Sequence, residues 1–375
     1  MGARVVEGTG LENRRRLIPV RGFESHLIRF FTFTAIWVNG VMLRRHFLKV
    51  LGFTGFSAMF GGRLQADSDF YRTVHRVAVS RVSWTSDYPR FQISAVVYYP
   101  SDPVELSPVV IYSHGLGGSP DRFAYLGNMW ASRGIISIFI HHPETDESQW
   151  RGHLRAVSEL ESLYKRYWSA RDRALAIRFV IDRLTEKGIE SSSFAPIMDT
   201  SRIGVAGNDL GSLAAALVAG QLPPDNGDSL ADSRVSAVAM LSPTVYCDAA
   251  HAPVVYGGIS APFLSIAGTK DDGIIGPTRA EQRRIPFDAL FRQDRYHATL
   301  EKGDHLVYSG HLRVSKRESD RLYQDAIRSV TTLFWSAYLQ TDPDALQILQ
   351  MGDRVVFSKL MSIEFRKGIE SMRKI

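Results

Sequence analysis

Three short stretches carry side chains that could do chemistry. The first is IGVAGNDLGS, residues 203–212, which reads as a strand breaking sharply into a helix with glycines on both sides of the break. Its spacing, Gly207-Asn208-Asp209-Leu210-Gly211, has the shape of a nucleophile elbow, G-x-S-x-G, with aspartate in the serine position. Tight glycines let one side chain stand exposed at the start of a helix, and the next backbone N–H faces the same space. The plainer alternative is a glycine-lined turn in which Asp209 caps the following SLAAALVAG helix.

The second stretch is SHGLGGS, 113–119. A glycine-rich turn after a strand can point N–H groups at charge that develops only in a transition state. The same turn also serves structure alone. The third is a pair, GTKDD (268–272) and GDHLVYSG (303–310). An acid after one strand and a histidine after the next can form the hydrogen bond that fixes an imidazole tautomer and makes it a base. His305 follows a Gly-Asp turn and stands in the chain order nucleophile, acid, histidine.

Such groups need strands that deliver them to one edge. HRVAVSRVSW (75–84) and FQISAVVYYP (91–100) alternate as two antiparallel edge strands. Central strands are expected at 107–115, 135–142, 201–207, 234–243 and 261–269, with another inside 294–305. Helices are expected at 121–134, in a basic-acidic stretch of roughly 153–187, at 212–220 and at about 319–340. Alternating strands and helices predict an α/β fold, a mostly parallel central sheet with helices on both faces, in one domain over 67–375.

The stretch from about 75 to 340 resembles the α/β-hydrolase superfamily. It is most similar to the bacterial group related to platelet-activating-factor acetylhydrolase and predicted dienelactone hydrolases. PVVIYSHGLGGSPDRFAYLGNMWASRG, SRIGVAGNDLGS, APFLSIAGTKDD and KGDHLVYSG carry the likeness. The resemblance implies the α/β-hydrolase fold and oxyanion N–H groups from Leu116 and Leu210. It implies Asp271 as the triad acid, fourth residue of the G-x-x-D turn, with Asp272 as the near alternative, and His305 as the base. The departure is Asp209, where the family has serine.

A carboxylate is already anionic at neutral pH and suits attack at a saturated carbon. At an ester carbonyl it would give an anhydride. The same superfamily contains haloalkane dehalogenases and epoxide hydrolases with such an aspartate, and these carry a helical lid and an H-G-x-P loop. Here only 17 residues lie between Pro243 and Ala261, too few for a large lid, and the loop reads His114-Gly115-Leu116-Gly117. The leading expectation is therefore a hydrolase for a small-molecule, carboxylic ester-type substrate with an atypical nucleophile position. The alternatives are an inactive descendant with a binding role and an Asp-nucleophile dehalogenase or epoxide hydrolase. An Asp209 charge beside His305 should raise the histidine pKa. No cofactor and no metal are expected.

Other candidates read as bland. Ser212 lies one turn into the helix and is expected to pack, and His141-His142 lack a third ligand at a recognisable spacing. YKRYW (164–168) reads as an amphipathic face near a pocket mouth, Arg171 and Asp172 as structural charges beneath the sheet end, and Glu301 as surface. The lone Cys247 is expected to be a buried apolar filler.

The net charge of +6 over 375 residues belongs to the N-terminus. Residues 1–66 hold ten Lys/Arg against three Asp/Glu, leaving 35 and 36 in the body, with no basic stripe to meet nucleic acid. Arg44-Arg45-His46-Phe47-Leu48-Lys49 with the short apolar run that follows resembles a twin-arginine export signal over 42–66, ending in Leu64-Gln65-Ala66. That run is too short to span a bilayer, which needs about 20 residues. An exported, periplasmic or extracellular protein without a stable membrane span follows. Met42 makes a natural start, and 1–41 reads as a mistaken upstream extension whose residues look like a translated transfer-RNA gene.

Overall fold

The computed structural model describes residues 64–65, 75–87, 90–143, 168–186, 192–223, 227–274, 276–309, 318–352, 355–356 and 359–369. The expected 1–41 extension and nearly all of the 42–66 signal lie outside them, as does most of YKRYW. Of the signal, Leu64–Gln65 (β1) pairs in parallel with Val355–Val356 (β10).

Continuous apolar runs build the centre of one nine-stranded sheet. The strands are β2 (Val77–Asp87), β3 (Arg90–Pro100), β4 (Ser107–Ser113), β5 (Ile136–Ile140), β6 (Met198–Asp209), β7 (Val235–Pro243), β8 (Phe263–Lys270), β9 (Arg295–Asp304) and β11 (Met361–Arg366). Their order is β11-β9-β8-β7-β6-β4-β5-β3-β2. β5, β4, β6, β7, β8 and β9 pair in parallel, whereas β3 runs antiparallel to β5 and to β2, and β11 antiparallel to β9. β4 and β5 are buried at every residue, as a strand covered on both faces must be.

Successive strand residues point to opposite faces, and each face has its own core. Val109, Ile111, Val205, Val238 and Met240 pack with helices α2 (Trp168–Thr185), α3 (Leu210–Ala219), α4 (Ala252–Tyr256) and α5 (Ile285–Ala289). Val110, Tyr112, Ala206, Ala239 and Leu241 pack with α1 (Ala124–Ser132), α6 (Glu318–Leu339) and α7 (Pro343–Gln350). Trp130 of α1 meets Trp335 of α6 edge-on at 5.9 Å and donates its indole N–H to Thr331 at 3.1 Å.

The α/β layering and every strand expected from the sequence are present. The helix expected over 153–187 is described only as Trp168–Thr185. The sequence reading missed α4, α5, α7 and β11. The first two are five-residue helices with proline in second place, too short for a helical period to show. β11 alternates apolar and polar residues, MSIEFR, a strand signal that the sequence reading passed over. Residues Arg63–Ile375 form one compact unit.

Candidate active site

Parallel strands deliver their carboxyl ends to the same edge of a sheet. Ser113 closes β4, Asp209 closes β6, Pro243 closes β7, Lys270 closes β8 and Asp304 closes β9. The three predicted loops therefore start from one rim.

Asp209 sits at the corner between β6 and α3 with φ 50° and ψ −124°. That left-handed φ is strained for a residue with a Cβ, and such strain persists only where the surroundings hold it. They do so through glycine. A Cβ on Gly211 would collide with the Ser113 carbonyl, and one on Gly207 with the Gly211 carbonyl. The two glycines let the start of α3 press against the end of β4. Asp209 makes no side-chain cap bond to α3, so the capping alternative does not describe it.

The Asp209 carboxylate instead faces the glycine loop. The Leu116 N–H donates to its Oδ2 at a long 3.4 Å, and the Thr244 hydroxyl donates to its Oδ1 at 3.2 Å. Leu210 is the first residue of α3, where backbone N–H groups have no partner inside the helix. Asn208 steadies the loop by accepting from the Gly115 N–H at 2.9 Å. The Ser212 hydroxyl is fully buried, donates to the Asp209 carbonyl at 2.6 Å and accepts from the Thr244 N–H at 3.1 Å. It is a bracket for the corner, as expected of a packing residue.

Asp271 and His305 meet. The imidazole Nδ1 lies 2.8 Å from Asp271 Oδ1, and the Tyr308 hydroxyl donates to Oδ2 at 2.9 Å. Asp272 is exposed and accepts from the Ala280 N–H, so of the two acids Asp271 is the one that meets the imidazole. Ser242, held at φ 48°, donates to Asp271 Oδ1 at 3.0 Å and lies 3.1 Å from Nδ1. Arg283 is completely buried with its Nε 3.1 Å from Asp271 Oδ1. Its Nη1 donates to the Ser242 and Pro243 carbonyls, both at 2.9 Å.

Electrostatics tie Asp209 to the pair. Burial pulls the His305 pKa down, and Arg283 pulls the same way. The hydrogen bond to Asp271 and the charges of Asp209 and Asp271 outweigh both, so the pKa is raised. This is the shift expected from the sequence. Among the described residues no hydrogen bond joins the Asp209 carboxylate to the ring, so its influence is through space. Burial raises the Tyr246 hydroxyl pKa, and the Asp209 charge raises it further.

Beneath the glycine loop lies a second buried cluster. His142 Nε2 is 2.9 Å from Ser113 Oγ, and Arg173 donates to the His114 carbonyl. Burial, then Arg173 and the neighbouring histidines, push the His142 pKa well below the usual histidine value. Arg173, next in the chain to Arg171 and Asp172, is a buried charge at this end of the sheet that the sequence reading did not name. Among the described residues no group of three His, Cys, Asp or Glu could hold a metal ion. Cys247 is half-buried rather than buried, because it lies on the open connection after β7.

Ser242, Thr244, Arg283 and Tyr308 were missed by sequence reasoning. None has a local signal, since each is brought in by tertiary packing; the nearness of Ser242 and Thr244 to the end of a central strand was the one available clue. A separate groove of about 640 Å³ is lined by Arg284, His297, Glu364 and neighbours, and by none of the predicted site residues. No protein-family model and no curated protein matches this chain.

Proposed function

We propose that this chain is a hydrolase with the α/β-hydrolase fold that works through the carboxylate of Asp209, with His305 as the base for water. Support for the fold comes from the strand order, in which β4 and β5 exchange places relative to the chain, and from the reactive groups following β6, β8 and β9 in turn. The observation that carries the function is the carboxylate itself. It stands on the strained corner, one oxygen towards the Leu116 N–H, its charge felt by a histidine that Asp271 holds by Nδ1.

This arrangement favours attack at a saturated carbon over attack at an ester carbonyl. An Asp209 oxygen forms a bond to the substrate carbon as the leaving group departs with its electron pair, giving an ester on Asp209. Water then attacks Cγ while His305 takes its proton. The charge that develops on the carboxyl oxygen falls where the Leu116 N–H already points. Collapse expels the alkoxide, which takes the proton of the Cγ hydroxyl and leaves as an alcohol, restoring the carboxylate, and His305 gives its proton to solvent. A substrate ester would instead need its own carbonyl oxygen in the place that Oδ2 occupies.

The leading expectation from the sequence, an ester-type substrate, stands second, and one observation favours it. At 3.4 Å the Leu116 contact is weak enough to yield to a substrate oxygen, with Asp209 then acting as base for water. The twin-arginine resemblance extends the proposal to export into the periplasm or beyond the cell.

A panel of haloalkanes, epoxides and p-nitrophenyl esters offered to wild type, His305→Ala and Asp209→Ser separates the readings. In the first, His305→Ala accumulates the alkyl ester on Asp209, seen as added mass on that peptide. In the second, Asp209→Ser gains cleavage of short esters and no adduct forms. Neither adduct nor gain in folded proteins would reject a hydrolase at this site.

A further inference from the structure

A triad ordinarily sets one carboxylate against one histidine. Here two bear on it: Asp271 from the loop after β8 through a hydrogen bond to Nδ1, and Asp209, at the end of β6 with its carboxylate on the glycine loop, as a charge acting through space. Two anions around one imidazole would hold it as imidazolium, a form that cannot accept a proton. Of the other groups that pack against His305, the Ser242 hydroxyl at the end of β7 is neutral, and so is the Tyr308 hydroxyl on Asp271 Oδ2. Among the described residues the one cation beside it is Arg283, from the 3-10 turn Ala280–Arg284.

The placement of its guanidinium is informative. Nε lies 3.1 Å from Asp271 Oδ1 and donates to the Asp271 carbonyl at 2.6 Å. Nη2 lies 3.3 Å from His305 Nδ1. When Nδ1 carries the proton it gives to Asp271, it has no lone pair left to accept from Nη2. What Arg283 presents to the ring is then charge rather than a hydrogen bond. Arg283 and Asp271 are both completely buried, so water screens this interaction little.

We propose that Arg283 is a positioning residue that offsets the charge of one of the two aspartates, so that His305 can be neutral and take a proton from water. The second carboxylate at residue 209 is what makes a buried cation at the acid necessary. The consequence for turnover rests on the reading of His305 as base. The charge balance does not, and a titration reads it whether or not a substrate is known. A purely structural Arg283 would instead serve only to tie together the carbonyls of Ser242, Pro243 and Asp271.

The test is an NMR titration of His305 in the full chain labelled with ¹⁵N-histidine, assigned by its loss in His305→Ala. Arg283→Met should raise the His305 pKa by about one to two units, and Arg283→Lys, which keeps the charge, should move it far less. The pH profile of any turnover should shift alkaline with it in Arg283→Met. A folded Arg283→Met that titrates like wild type overturns the proposal. If Arg283→Met does not fold, Asp209→Asn is added to it. Charge balance predicts that the double variant recovers the fold and titrates near wild type. A double variant as unfolded as the single one assigns Arg283 to the carbonyl bracket and overturns the proposal equally.

Discussion

At the scale of single residues, the site is an electrostatic argument around His305. Its pKa is raised, so the group binds a proton more tightly in the folded protein than in the unfolded chain. Its contribution to stability is present below about pH 6.5 and is lost as pH rises through the raised value. The proposed mechanism runs the other way, because His305 serves as base only when neutral: rate should climb as pH rises through the same window. Asp209→Asn should lower the His305 pKa, seen in the same NMR titration, and reduce turnover by about 10³-fold or more. A His305 pKa unmoved in that variant would separate the two groups. Thr244→Val removes the hydroxyl that donates to Asp209 Oδ1 and should cost about 1 kcal/mol in chemical denaturation. Glycine spacing and chain order mark Asp209 and His305 in the sequence, whereas only the family resemblance singled out Asp271 over Asp272. Arg283 carries no such mark: in AEQRRIP it is one of two adjacent arginines, and only the fold buries one against Asp271 and leaves Arg284 half-exposed beside Asp288 and Glu364.

At the scale of elements, the corner between β6 and α3 depends on close backbone approach. The glycines at 207 and 211 were legible as a pattern, and the structure supplies the reason, namely carbonyls where a Cβ would be. Gly211→Ala should destabilise the protein by about 1–3 kcal/mol, as overpacked sites do, and should weaken the grip on residue 209. Urea unfolding measures the first, and the His305 titration reports the second through the displaced Asp209 charge. A variant as stable as wild type would contradict the tight contact with Ser113. The central strands were readable because both faces are covered and their apolar runs are unbroken. The register that sets Ser242 beside Asp271 was not, since pairing partners leave no trace in a single strand's composition.

At the scale of the whole molecule, buried histidines oppose His305 in acid. Burial, then the Arg284 charge, lowers the His297 pKa to about 4, and burial holds His142 lower than usual as well. A depressed histidine stays neutral in the fold while the unfolded chain takes up protons below about pH 6.5. Stability should therefore fall from there towards pH 4, at up to about 1.4 kcal/mol per pH unit for each such group. His297→Gln should flatten part of that slope in urea titrations at stepped pH; an unchanged slope would mean that His297 is not the group responsible. Among the described residues no helix is long and apolar enough to cross a membrane. The concentration of charge in residues 1–66 and the α/β layering were both visible in composition and periodicity. What no local pattern could disclose is the cation, Arg283, buried against the acid that holds His305.

The most direct measurement is of oxygen. Wild-type protein is turned over with an active haloalkane or epoxide in ¹⁸O-labelled water, and the peptide carrying Asp209 is then weighed. Heavy oxygen in the Asp209 carboxylate is the expected result, because water attacks the ester at Cγ. Repeated turnover that leaves Asp209 unlabelled would show that no ester forms there and would contradict a carboxylate nucleophile.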